Sequence, residues 1–187
     1  MRRPKVPLTR GTLLEAQRAL AMARQGHDLL DSKREVLLAE LTAATPEAEK
    51  AREALVRGFV DAYERLIGAR MATGIDGVRR AALSALVPPE LKVAERSVVG
   101  AEVPVVRCIS TEGHPGYSTA GTAVELDRAA SAFAGLVGTV CAAAETEATV
   151  VRLAREIRKT QQRVNALRNV VIPTQEAIIK TVREALE

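Results

Sequence analysis

The sequence predicts a mainly α fold. It reads as a long antiparallel two-helix coiled coil of N- and C-terminal helices, with a small β-hairpin and a short helix in the middle. Three observations carry this. The chain has no Trp, two Phe and two Tyr, fewer aromatics than a compact core of 187 residues normally uses. Its apolar content is Ala, Leu, Val and Ile, interspersed with Glu and Arg, the composition of helices packed side by side. Apolar residues recur every seven positions near both ends and give way to β-branched residues between.

Residues 1–10 hold Pro4, Pro7 and several basic groups and read as an extended arm. Thr9 or Thr12 is placed to cap the helix that follows, because a hydroxyl accepts from free first-turn N–H groups. From Leu13 two seams run. One is Leu13, Leu20, His27, Arg34, Leu41; the other is Ala16, Ala23, Leu30, Leu37, Ala44. Eight of these ten are apolar, which favours a coiled-coil helix over a random amphipathic one. Pro46 either kinks this helix or opens a second one. Ala48, Ala51, Leu55, Phe59, Ala62 and Leu66 restore helical spacing, which Gly74, Asp76 and Gly77 weaken. A short helix is expected over Arg79–Leu86, closed by Pro88 and Pro89.

Residues 91–118 carry Val93, Val98, Val99, Val103, Val105, Val106 and Ile109, punctuated by Gly100, Gly113, Pro115 and Gly116. This predicts a β-hairpin or pair of strands around a turn at Glu112–Gly116. Beyond Thr122 the heptad returns: Ala129, Leu136, Ala143, Val150, Ile157, Val164, Val171, Ile178 and Ala185 are all apolar. Each terminal helix then spans about 90 Å at about 1.5 Å per residue. Pro173 sits inside the second seam, which resumes at Ile178, so a kinked but continuous helix is expected. The organisation is one domain, 1–187: an N-terminal coiled-coil helix over 11–72, a middle region over 73–118 and a C-terminal coiled-coil helix over 119–187.

The net charge is +4, with acids and bases interspersed, the pattern of solvated helix faces. Cys108 and Cys141 have no metal-ligand spacing, and with no signal-peptide pattern at the N-terminus a reducing, cytoplasmic setting is expected. Unbroken apolar runs fall short of the roughly 18 residues of a membrane span; the Ala-rich stretch 129–144 comes nearest and reads as a buried helix face. His27 lies on the first seam and His114 in a turn, neither with a catalytic neighbourhood, and Gly113 and Gly116 lack P-loop spacing. No enzymatic activity, cofactor or metal is expected. Residues 152–168 hold Arg152, Arg155, Arg158, Lys159, Arg163 and Arg168 against one acid, Glu156. This is either a solvated face or a surface that docks in an acidic collar. A nucleic-acid binder would show a denser basic patch or aromatic stacking, and neither is present.

Two stretches resemble the D subunit, the central-stalk rotor of V/A-type rotary ATPases. The first is Pro7-Leu8-Thr9-Arg10, Leu13-Leu14, and Ala23 through Arg34 with its Gly26, Asp28-Leu29-Leu30 and Lys33-Arg34; Leu8 interrupts the family's Pro-Thr-Arg start. The second runs from Glu145-Thr146-Glu147 through Glu156-Ile157-Arg158-Lys159-Thr160 to Arg163-Val164-Asn165-Ala166-Leu167 and Val170-Val171-Ile172-Pro173, and is the most specific. A weaker likeness covers Ser97 to Pro104. The family usually has further basic positions around Gln161-Gln162, an acid where Arg168 stands, and a charged helical extension past the point matching Glu187.

The resemblance implies an axle of two terminal helices inside a hexamer of catalytic and non-catalytic (A- and B-type) subunits. The middle region, about 90–118, would meet the F-type stalk subunit and the connector to the membrane rotor. ATP turnover would turn the axle, or proton or sodium flow would turn it the other way. The chain would be cytoplasmic and peripheral to the membrane, with no membrane insertion, no nucleic acid and no active site of its own. Arg152, Arg155, Lys159, Arg163, Asn165 and Pro173 are the expected partner contacts, and a kink at Pro173 would give the axle a cam's asymmetry. The rival reading is a stand-alone cytoplasmic coiled-coil scaffold or a divergent paralogue without coupling.

Overall fold

The computed structural model describes residues 7–84, 90–109, 116–117 and 123–186. In chain order these form α1 (Arg10–Thr73), α2 (Ile75–Ser84), β1 (Glu90–Val98), β2 (Ala101–Ile109), α3 (Val124–Ala166), a π-helical turn over Leu167–Val171, and α4 (Ile172–Leu186). Contacts divide the chain into two compact units. One comprises Met1–Leu41 with Leu153–Glu187, the other Thr42–Arg152.

In the first unit, Thr9 caps α1: its Oγ1 accepts from the Thr12 N–H at 3.2 Å and its carbonyl from Leu13 N–H at 3.1 Å. The two helical stretches run antiparallel, as three cross-pairs show. Arg24 meets Glu176 at 2.7 Å, Lys33 meets Glu156 at 3.4 Å, and Arg34 meets Gln161 at 2.9 Å. Ala16, Ala23, Leu37, Leu153, Thr160, Val164 and Val182 are buried between them. The seam positions Leu13, Leu20, His27, Leu30, Arg34 and Leu41 are half-buried, as the heptad predicts.

The second seam holds through Ile178 but not at Ala185, which is exposed. A π turn interrupts the α geometry ahead of it. Ile172 N–H donates to the Leu167 carbonyl, five residues back, so the turn takes in one residue more than an α turn. The buried and half-buried positions step by seven from Leu153 to Thr160 to Leu167, then by eight to Gln175, then by seven to Val182. Pro173 follows directly. It has no N–H to give, and a turn already departing from α geometry accommodates that loss. The Thr174 hydroxyl donates to the Val170 carbonyl at 2.6 Å.

In the second unit, α1 passes through Pro46 without a break, so Pro46 opens no second helix. A Cβ on Gly58 would stand 2.6 Å from Leu136 Cδ2, so glycine lets the buried leucine of α3 seat against α1. Phe59 stacks on Tyr63, and Tyr63 meets Phe133 edge-on at 5.7 Å between ring centres. Gly74, at φ 77°, ends α1 in the left-handed conformation, its N–H donating to the Arg70 carbonyl. The short helix α2 therefore starts at Ile75, earlier than expected, and Pro88 and Pro89 lie outside the described residues. Ala69 and Ala81 pack with Leu126 and Ala129, covered by Val78 and Tyr117.

The hairpin turns at Val99-Gly100, not at 112–116; residues 112–115 lie outside the described ones. Both turn residues have positive φ, 52° and 77°, the signature of a type I′ turn that suits the twist of a two-residue hairpin. Valine rarely adopts this conformation, which is why the position reads as strand. Val98 pairs with Ala101, so the odd-numbered residues of β2 bond to β1 and the even-numbered ones turn their backbone groups outward. Pro104 occupies one of the outward positions, where no ladder bond needs its missing N–H.

The helical stretch Val124–Leu186 holds an 18-residue window of mean hydropathy 1.3. By length and composition alone it is apolar enough to cross a membrane, although unbroken apolar runs are shorter. Its Ala129, Leu136, Cys141 and Ala143 are buried within the second unit.

Candidate partner-contact surface

In the first unit, Arg155, Lys159 and Arg163 stand at four-residue intervals on α3 and share one face. All three are exposed, as are Arg158 and Arg168. The one acid in the run, Glu156, is half-buried and reaches α1 while still pairing with Lys159. It is 19% exposed and bridges to Lys33 of α1 at 3.4 Å, with Lys159 a longer 3.8 Å away. The face is net positive, with Lys159 and Lys33 sharing the one carboxylate. Such a face attracts an acidic surface at moderate ionic strength and releases it as salt screens the charges.

The other expected contacts sit differently. Asn165 is exposed, its Oδ1 accepting from Gln161 Nε2 at 2.9 Å. Pro173 is half-buried behind the π turn. Arg152 belongs to the second unit, where its Nη1 donates to Glu95 Oε1 and to the Glu102 carbonyl, both at 3.0 Å. That guanidinium is engaged by the hairpin within its own chain. Glu145 works beside it, accepting from the Val106 N–H at 2.8 Å. Together they satisfy outward backbone groups of β2, an edge that would otherwise be open to pairing.

Lys33, Glu145 and Glu156 stand in the stretches that carry the resemblance, but their pairings, 123, 39 and 123 positions away, were not legible in the sequence. Their one local signal is charge beside a seam. His27 is half-buried with Nδ1 3.2 Å from Asp28 Oδ1, and His114 lies outside the described residues. Among the described residues no group of three or more His, Cys, Asp or Glu could hold a metal ion. An open groove of about 450 Å³ runs along α1, lined by Glu49, Arg52, Glu53, Val56 and Arg57.

A profile of the ATP synthase D subunit family matches residues 12–187. The chain belongs to this family. It is 37% identical to the V-type ATP synthase D subunit of Thermotoga neapolitana over 96% of this chain and 88% of that protein. It is 35% identical to the A-type ATP synthase D subunit of Methanopyrus kandleri, over 96% of this chain and 78% of the relative. Against the protein of the same name from Archaeoglobus fulgidus it is again 35% identical, over 98% and 90%. The two stretches that carried the D subunit resemblance meet in the first unit. Gly26 lies against Leu167, where an added Cβ would be 3.9 Å from Cδ1, and Arg34 bonds Gln161.

Proposed function

We propose that this chain is the central-stalk rotor of a V/A-type ATP synthase or ATPase. It transmits torque between ATP turnover in a catalytic hexamer and proton or sodium transport across the membrane. The observation that carries the reading is the D subunit match over nearly the whole chain, laid on antiparallel helices that are buried along a seam and charged outside. An axle needs an internally fixed seam, so that its two helices turn together. It also needs an outer face that meets changing neighbours through screened, reversible charge contacts. Arg155, Lys159 and Arg163 supply such a face toward the A- and B-type subunits, with Asn165 and Pro173 alongside and Arg152, which also supports the hairpin, as a further contact. Residues 90–118 face the F-type stalk subunit and the membrane-rotor connector. The rotor works in the cytoplasm, peripheral to the membrane, and carries no active site.

The test is co-expression with the A-, B- and F-type subunits from the same source, with recovery through a tag on this chain. One copy per hexamer is expected. Recovery of this chain alone or as a homo-oligomer would overturn the reading in favour of a scaffold.

A further inference from the structure

The chain has two cysteines, Cys108 on β2 and Cys141 on α3, both in the second unit and both free. Two contacts fix how strand and helix run past one another. Arg152 reaches the Glu102 carbonyl, and Glu145 reaches the Val106 N–H. Rising residue numbers on β2 therefore meet falling numbers on α3. Two residues beyond Val106 advance about 6.6 Å along the strand. Four residues back from Glu145 retreat about 6 Å along the helix. These steps bring Cys108 beside Cys141.

We infer that Cys108 and Cys141 form a redox pair whose disulfide fastens the β2 strand to α3. Their environments divide the work. Cys141 is buried, and burial first, then the hydrogen bond to Cys108, pushes its thiol up from the ordinary range, so it stays protonated and shielded. Cys108 is half-buried and is the sulfur a reagent reaches. The oxidant is a low-molecular-weight disulfide. The Cys108 thiolate attacks one of its sulfurs, expels a thiolate and leaves a mixed disulfide. Cys141 then loses its proton and attacks the Cys108 sulfur, expelling the second thiol. Two protein thiols have given up two electrons and two protons, and one small disulfide has become two thiols. The bond reinforces what Arg152 and Glu145 already do, holding the hairpin at one place along α3. The hairpin becomes a fixed element when oxidised and a hydrogen-bonded one when reduced.

The reduced full-length chain is incubated with oxidised glutathione, alkylated with a maleimide and read by intact mass and peptide mapping. The expected product is monomeric, lighter by two hydrogens and unlabelled, with the Cys108 and Cys141 peptides joined. Amide exchange over residues 103–109 slows at least tenfold in that form. Cys141→Ser is expected to stop at glutathione on Cys108, and Cys108→Ser to react at least tenfold more slowly than the wild type. Stable glutathione adducts on wild-type Cys108, a chain-to-chain disulfide, or two thiols still open to maleimide would each overturn the inference. The wild-type measurement decides this even if a serine variant folds poorly.

Discussion

Arg34 on α1 donates through Nη1 to Gln161 Oε1 on α3 at 2.9 Å, from a seam position where a heptad repeat ordinarily places an apolar residue. Its Nη2 reaches Asp31 at 2.8 Å, and its Nε is buried without a partner. A guanidinium here fixes register more than it adds stability, because a slipped register would leave it unpaired. Arg34→Ala, which strands Gln161 and Asp31, is expected to cost about 1–3 kcal/mol. Arg34→Leu strands the same two groups but regains apolar contact along the seam, so it is expected to cost less than Arg34→Ala by about 1 kcal/mol. Thermal melts of the two variants separate these outcomes; equal destabilisation by both would contradict the register role.

Leu37 is fully buried and Leu153, from the facing helix of the same unit, is 2% exposed. Leu37→Ala is expected to lose about 2–4 kcal/mol by lost transfer energy and a residual cavity. Val36→Ala, one position along on the exposed side, should change stability by less than about 0.5 kcal/mol. Urea titrations of the pair measure the seam directly. A small effect at Leu37 would mean the seam is not what holds the helices.

Pro173→Ala restores a backbone donor just after the π turn. The isolated chain should melt higher, by up to about 3 kcal/mol if the turn relaxes to α geometry. In an assembled complex, if the chain turns as proposed, the same change should lower the ions moved per ATP, because the π turn at Leu167–Val171 is lost. Unchanged coupling would remove the proline from the mechanism.

Tyr117 donates its hydroxyl to Asp127 Oδ1 at 2.7 Å. Burial first, then that bond and the aspartate charge, raise the phenol from 10.0 to about 12. The folded state therefore prefers the protonated phenol. The stability this contributes is complete below pH 10 and is lost as pH rises toward 12. Tyr117→Phe should cost about 1 kcal/mol at pH 8 and flatten the alkaline fall of the urea midpoint. A variant that loses stability above pH 10 as steeply as the wild type would show that another group governs that fall.

The seams were legible because a seven-residue spacing records which residues face inward, and positions from Leu13 to Leu41 and from Ala129 to Ile178 are buried or half-buried as read. Ala185 misled because the seam ends short of the helix terminus, where Leu186 is exposed too, and the π turn at Leu167–Val171 left no mark in residue type. The hairpin was legible from its β-branched residues, but its turn was not. Val99 looks like strand and yet takes a positive φ, while Gly113 and Gly116 advertise a turn elsewhere. Arg152 read as part of an outward basic run. Its engagement with Glu95 and Glu102 spans more than forty-nine positions, a distance over which local pattern says nothing. Arg155, Lys159 and Arg163 were legible as charge, and three cations against one carboxylate shared with Lys33 make that face net positive.

The central claim is that this chain turns. The most direct measurement immobilises a hexamer assembled with this chain, attaches a bead through a single introduced cysteine in Cys108→Ser/Cys141→Ser protein at exposed Val93, and follows the bead under ATP. The account predicts unidirectional stepping that stops when ATP is removed. A stably bound chain whose bead stays still while the hexamer hydrolyses ATP would contradict it.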